Sequence, residues 1–250
     1  MSDRFEICHA ITAKHEGLYS DHKDDPGGAT MKGVTQGKFT EWLRRKGKPN
    51  RHVRTVTNAE VLAIYREDYW NPTAVAFALV PGVDLATYDA SVNSSVSRGI
   101  KWLKASAGSS DHSVTVKRIC RARLSFMQSL KIWKTFGKGW GRRVADIEVR
   151  GVAMALAYMG ATEKRIQADA RFEAEAAKTA AKTAKATAKA TGGASGAAGG
   201  TIALDPGAID AAAVWVLGGL IVAAIVVAAV MFVKKRAHDA RAEAYAGAAA

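Results

Sequence analysis

The 250 residues predict a mainly α-helical chain with a small β wing near its start and one transmembrane helix near its end. Three observations carry this. Apolar residues recur at three- and four-residue steps over several segments, the spacing that lines one face of a helix. Residues 17–37 interrupt that pattern with a turn-rich stretch holding Pro26-Gly27-Gly28 and Gly33, residue types that punctuate a chain. Ala211 to Val233 carries no charge, and at about 1.5 Å per residue it reaches roughly 34 Å, enough for a hydrocarbon core of about 30 Å.

Each element follows in order. Phe5, Cys8 and Ile11 share a face, so a first helix is predicted over residues 3–15, ending at Glu16. Residues 17–37 then form a small hairpin or irregular wing. Thr57-Asn58-Ala59-Glu60 is a capping box, with Val61, Leu62, Tyr65 and Tyr69 along the helix that it opens. Asn71-Pro72 should end that helix, because the residue before proline is pushed out of helical geometry. Leu85, Tyr88, Val92, Val96, Ile100 and Leu103 predict one helix over 84–104. Residues 173–191, rich in Ala, Lys and Thr, offer little to bury and are expected as a helical or partly disordered basic spacer. Gly192 to Gly200 is expected as a flexible hinge. Trp215 would anchor one interface of the span, and Lys234-Lys235-Arg236 would stop it.

A net charge of +13 and a pI near 9.8 call for an anionic partner. Nucleic acid, anionic lipid and the carboxylates of peptidoglycan all qualify. The sequence holds no zinc-type Cys/His cluster, no nucleotide loop and no nucleic-acid module, so no nucleic-acid partner is expected and the wall is favoured. Cys8 and Cys120 fall at apolar helical positions, as buried thiols rather than a disulfide framework. The first residues lack the apolar core of an ordinary signal peptide.

Chemistry concentrates in residues 15–37, HEGLYSDHKDDPGGATMKGVTQG. Cleaving a glycosidic bond needs one carboxyl kept protonated as general acid and a polar group to place water or steady positive charge. Glu16, at a helix end beside Leu18 and Tyr19, suits the first role. Asp25, or failing that Asp24, suits the second, although an Asp before Pro26 also caps a turn well. No metal or organic cofactor is needed for this reaction.

Glu16-Gly17, Tyr19-Ser20, Asp25-Pro26-Gly27-Gly28, Thr30 and Gly33-Val34-Thr35 together resemble the signature of glycoside hydrolase family 108. Those are bacterial and phage N-acetylmuramidases with a lysozyme-like fold. Leu18 stands where a second glycine is usual, and Ala29 and Met31 replace positions that are often polar. The Tyr65-to-Trp70 run and Asp89-Ala90-Ser91-Val92-Asn93 resemble further segments of the family, with Ser94-Ser95 in place of its usual glycine. Residues 96–165, with Arg123-Leu124, Phe126 and the run from Phe136 to Val144, resemble the small peptidoglycan-binding module that follows such a domain.

The resemblance implies a lysozyme-like helical body in which Glu16 is the general acid, Asp25 positions water or stabilises the oxocarbenium-like centre, and Thr30 orients that water. Tyr19, Asp24 and Trp140 would bind substrate, with Lys138, Arg142 and Arg143 meeting wall carboxylates. For Trp140 the alternative is an interhelical turn with the indole in the core. The expected organisation is a catalytic module over 1–95, a binding-like module over 96–168, a spacer over 169–210, the span over 211–233 and a basic tail over 234–250. The expected function is a membrane-tethered muramidase, cutting the β-1,4 bond between N-acetylmuramic acid and N-acetylglucosamine, as in a phage endolysin. A noncatalytic wall-binding or secretion-assisting membrane protein is the alternative. Its place would be the bacterial inner membrane, with the membrane and peptidoglycan as partners and the head facing the periplasm.

Overall fold

The computed structural model describes residues 3–21, 28–198 and 211–249, and the side chains among these outside residues 191–225. It is mainly helical, with nine α-helices and three two-residue strands among the described residues. Contacts divide the chain into two compact units: residues 1–126 with 147–163, and residues 127–146 with 164–250.

The first unit starts with α1 (Arg4–Ala13), capped by the Asp3 side chain, which accepts from the Phe5 amide at 3.0 Å. After Ala13 the chain tightens: the amides of Lys14, His15 and Glu16 bond to the carbonyls three residues back. That winding carries Glu16 to the edge of the wing. Strands β1 (Tyr19–Ser20), β2 (Thr30–Met31) and β3 (Val34–Thr35) pair antiparallel in chain order. Thr30 faces Thr35 and Met31 faces Val34, so Lys32-Gly33 is a two-residue turn. Both of its residues are left-handed, at φ 52° and 76°, the twist that suits a tight hairpin. Thr35 then caps α2 (Gln36–Arg45).

The capping box is present at the start of α3 (Asn58–Tyr65): the Glu60 amide donates to Thr57 Oγ1 at 3.2 Å, and the Thr57 amide donates to Glu60 Oε2 at 3.0 Å. Arg51 and Lys48 reach the same carboxylate. Burial opposes its charge, but Arg51 and the Thr57 donors outweigh that and hold Glu60 down at about 2. A folded value below the unfolded one stabilises the protein above about pH 4.5, and this contribution is lost as the pH falls towards 2. Glu60→Gln is therefore expected to cost roughly 2 kcal/mol at pH 7, allowing for solvent screening at the Arg51 end. Urea denaturation across pH should show the gap between wild type and variant closing on acidification.

The helix does not end at Asn71-Pro72. It passes from α3 into a π-helical stretch over Arg66–Val75 with Pro72 inside it, and the Ala76 amide bonds to the Asn71 carbonyl at 3.0 Å. Proline lacks a donor and crowds the carbonyl four residues back in an α-helix; the wider turn tolerates it. The helix expected over 84–104 is two: α4 (Val83–Asn93) and α5 (Val96–Ser106). Ser95 caps the second by accepting from the Arg98 amide at 3.3 Å, so serine's competition for the backbone wins over the apolar period. At Gly99 the two helices nearly touch, since a Cβ there would lie 1.9 Å from Ser91 Oγ.

Phe5, Trp70 and Tyr88 meet edge to face in the core, with ring centroids 5.5–6.1 Å apart. Arg4 binds buried Asp84 through both carboxylate oxygens, at 2.7–2.9 Å. Deeper still, Arg123 of α6 (His112–Gln128) binds Asp89 at 2.6 Å and Asn93 at 2.9 Å. The pair is 1% and 0% exposed. Cys8 and Cys120 are both buried, as expected. Residues 147–158 of α7 (Trp133–Tyr158) complete this unit.

The second unit holds the start of α7, then α8 (Glu163–Ala198) and α9 (Ala211–Ala248). Ala170, Ala174, Ala177, Ala181 and Ala184 are buried at alternating four- and three-residue steps, a small-residue seam. Arg241 of α9 binds Glu173 of α8 at 2.5 Å. The backbone stays helical through Gly192 and Gly193 to Ala198, where a hinge was expected; the rest of that stretch lies outside the described residues.

The transmembrane expectation is overturned. Among the described residues no helix is long and apolar enough to cross a membrane. The charges expected to stop the span instead continue α9, which runs past Val233 to Ala248 through Lys234, Lys235, Arg236, Asp239, Arg241 and Glu243. Lys235 pairs with Asp239 one turn on, at 2.5 Å. The single span over Ala211–Val233, the inner-membrane location, the periplasmic head and the membrane as partner all fall with it.

Candidate active site

A groove of ≈ 410 Å³ opens beside the end of α1, between the β2–β3 turn and the first turns of α3. Its polar lining is His9, Glu16, Lys32, Asn58 and Tyr65. Leu18, Val61 and Leu62 contribute apolar surface. Among the described residues that line it, Glu16 is the one carboxylate.

Gly33 explains how Glu16 is placed. A Cβ at this position would lie 2.8 Å from Glu16 Oε2 and 2.2 Å from Tyr65 Oη. The carboxyl and the phenol therefore stand side by side against bare backbone. Tyr65 Oη donates to the Lys32 carbonyl at 3.1 Å, which ties α3 to the turn. Its ring packs on His9 at 4.7 Å and on Tyr69 at 5.5 Å.

Behind this front lies a largely buried, aromatic floor. His9 Nδ1 and Tyr88 Oη are 2.9 Å apart. Burial pushes the His9 imidazole below its ordinary value, so it is neutral at neutral pH. Burial also pushes the Tyr69 and Tyr88 phenols up, with the Glu16 charge adding to both.

The other expected site residues are distributed differently. Asp24 and Asp25 lie outside the described residues. Thr30 sits in β2 and its hydroxyl donates to the Gly28 carbonyl at 3.1 Å. Tyr19, in β1, donates to Asp21 at 2.9 Å, and the Arg54 guanidinium lies 3.9 Å from its ring centre. Neither is among the groove's lining residues. Trp140 belongs to the second unit, where it stacks on Phe136 at 5.7 Å and meets Trp133 at 6.2 Å. The glycine-rich run around it is helical, part of α7, rather than a turn; Lys138 and Arg142 are exposed while Arg143 is buried.

Sequence reasoning missed His9, Lys32 and Asn58 as groove residues and assigned Tyr65 to packing. One signal was available: two β-prone pairs, Thr30-Met31 and Val34-Thr35, flank a residue-glycine pair, which marks a tight hairpin. That hairpin brings position 32 back towards Glu16. His9 gave no such signal, since its role depends on which rings pack around it.

The Glycosyl hydrolase 108 family matches residues 9–95, from within α1 to the cap of α5. Among solved structures, Brucella abortus SagA is similar, at 30% identity and a TM-score of 0.53, over 60% of this chain and 95% of that one. No curated protein sequence matches. Neither similarity names a phage or a separate peptidoglycan-binding module. Glu16 and Tyr65 of the groove, with Gly33 against which both rest, all fall inside the matched segment, and the chain belongs to the Glycosyl hydrolase 108 family.

Proposed function

We propose that the chain is a peptidoglycan N-acetylmuramidase, hydrolysing the β-1,4 bond between N-acetylmuramic acid and N-acetylglucosamine. The observation that carries this is the Glu16 carboxyl, held beside the Tyr65 hydroxyl on the wall of a groove with an aromatic floor. Glu16 protonates the leaving oxygen. Asp25 supplies the second carboxyl, with Asp24 next to it in the sequence. Thr30 orients the water; its hydroxyl hydrogen is directed at Gly28, which leaves its oxygen to accept. Tyr19 and Trp140 offer aromatic faces for sugar rings.

A second reading, a noncatalytic wall-binding or secretion-assisting protein, is favoured by Leu18. It stands 76% exposed at the groove's edge. Product analysis separates the two. Peptidoglycan incubated with the full chain should gain new reducing-end muramic acid. Reducing-end glucosamine would mean a different bond is cut, and wall binding without either product would leave the noncatalytic reading.

A further inference from the structure

Lys32 occupies an expensive position. It is the first residue of the tight β2–β3 turn, at φ 52°, where glycine or asparagine is the unstrained choice and a lysine is held against its own preference. Nothing in the turn itself requires a long cationic side chain. A residue that breaks a local rule without a folding reason marks a site where another demand prevails.

Its surroundings define that demand. The Lys32 amide donates to the Leu18 carbonyl at 2.6 Å, and its carbonyl accepts from Tyr65. Both ends of the residue are thus fixed on the groove that holds Glu16. The ammonium donates to Asn58 Oδ1, at the start of α3. An ammonium has three donors and Asn58 takes one. Among the described residues Lys32 has no carboxylate partner, whereas nearby Lys38, Arg45, Lys46, Lys48 and Arg51 each end on an Asp or Glu. Those five cations are neutralised within the fold, whereas Arg44 of α2 points to solvent without a carboxylate among the described residues. The groove cation is held in place by a neutral amide, with donors left over.

We infer that Lys32 is a specificity residue that binds a carboxylate of the substrate, the lactyl group of the muramyl sugar or the peptide stem attached to it. This rests on the muramidase reading and deepens it: the groove selects an anionic glycan over a neutral one of the same backbone. Asn58 is the positioning residue that aims the ammonium. A charge-assisted hydrogen bond at a half-buried site corresponds to about a 30-fold preference.

The test is calorimetric binding to the full chain carrying Glu16→Gln, so that fragments are not consumed. Four muramyl-glucosaminyl fragments are compared: one with a free lactyl carboxylate, one with a peptide stem bearing free carboxylates, and the fully amidated, neutral form of each. An acid form should bind about 30-fold more tightly than its amide, and which acid does so identifies the carboxylate that is read. Adding Lys32→Gln should bring that ratio to about one, and Lys32→Arg should keep most of it. A merely structural lysine would, on replacement, weaken acid and amide alike and leave the ratio standing, which overturns the inference. So would equal binding of acid and amide, or no binding, by the chain that retains Lys32. Failure of the muramidase reading is seen separately, as the absence of new reducing ends from the unmutated chain.

Discussion

If the proposed muramidase reading holds, Glu16→Gln is expected to lower the rate of reducing-end release from peptidoglycan by about 10³-fold, within the range that general acid catalysis contributes. The substitution keeps the size and planarity of the side chain and takes away only the proton it can give. That isolates chemistry from architecture: a half-buried, nearly isosteric change should move stability by no more than about 0.5 kcal/mol. The loss corresponds to about 4 kcal/mol in the barrier. It should fall on kcat and on kcat/KM alike, because a proton delivered to the leaving oxygen acts only in the transition state. Wall binding should persist. Initial rates on purified peptidoglycan, with urea melts of both proteins, check this. A variant that turns over at the wild-type rate would remove Glu16 from the mechanism.

Gly33→Ala is the second large effect, and it works by displacement. The new methyl would lie 2.2 Å from Tyr65 Oη and 2.8 Å from Glu16 Oε2, both far inside contact distance. The backbone at φ 76° adds strain of its own. Forcing a methyl into a filled space costs typically about 1–3 kcal/mol of stability. The catalytic cost is larger in proportion. Shifting an acid by about 1 Å is enough for a loss near 10²-fold, and the variant moves the acid and its neighbouring hydroxyl together. The expected result is a folded protein with a lowered denaturation midpoint and activity reduced about 10²-fold. Full activity in a destabilised protein would show that the close approach at Gly33 serves folding alone.

Much of this was legible before any coordinates. Phe5, Cys8 and Ile11 announced α1, and the Thr57–Glu60 box announced α3, because each rests on contacts within a few residues of itself. That Glu16 closes the first helical segment was legible for the same reason, because the winding of residues 14–16 is a local event. What sequence could not carry was tertiary. Pro72 should stop a helix, and the widening into a π-helical stretch depends on what packs around Trp70 and Tyr88. Six apolar residues in register suggested one long helix where Ser95 starts a second. The uncharged run from Ala211 to Val233 suggested a span, and α9 continues beyond it with charges that pair along the helix and with Glu173 on α8. The groove partners of Glu16 come from α1, the β2–β3 turn and α3, and only their convergence identifies them.

The buried Arg123–Asp89 pair bears on where this molecule can be cut. The segment that matches the family ends at residue 95, and a shorter gene drawn to that boundary would look complete. It would carry Asp89 and Asn93 into the interior and leave Arg123 behind. Stranding a buried carboxylate without its arginine costs on the order of 3–5 kcal/mol, comparable to much of the stability that a whole small domain possesses. The stretch that evolution lets one recognise is therefore shorter than the stretch that can stand by itself. A piece cut at residue 95 is expected to be less stable than one carried through α6.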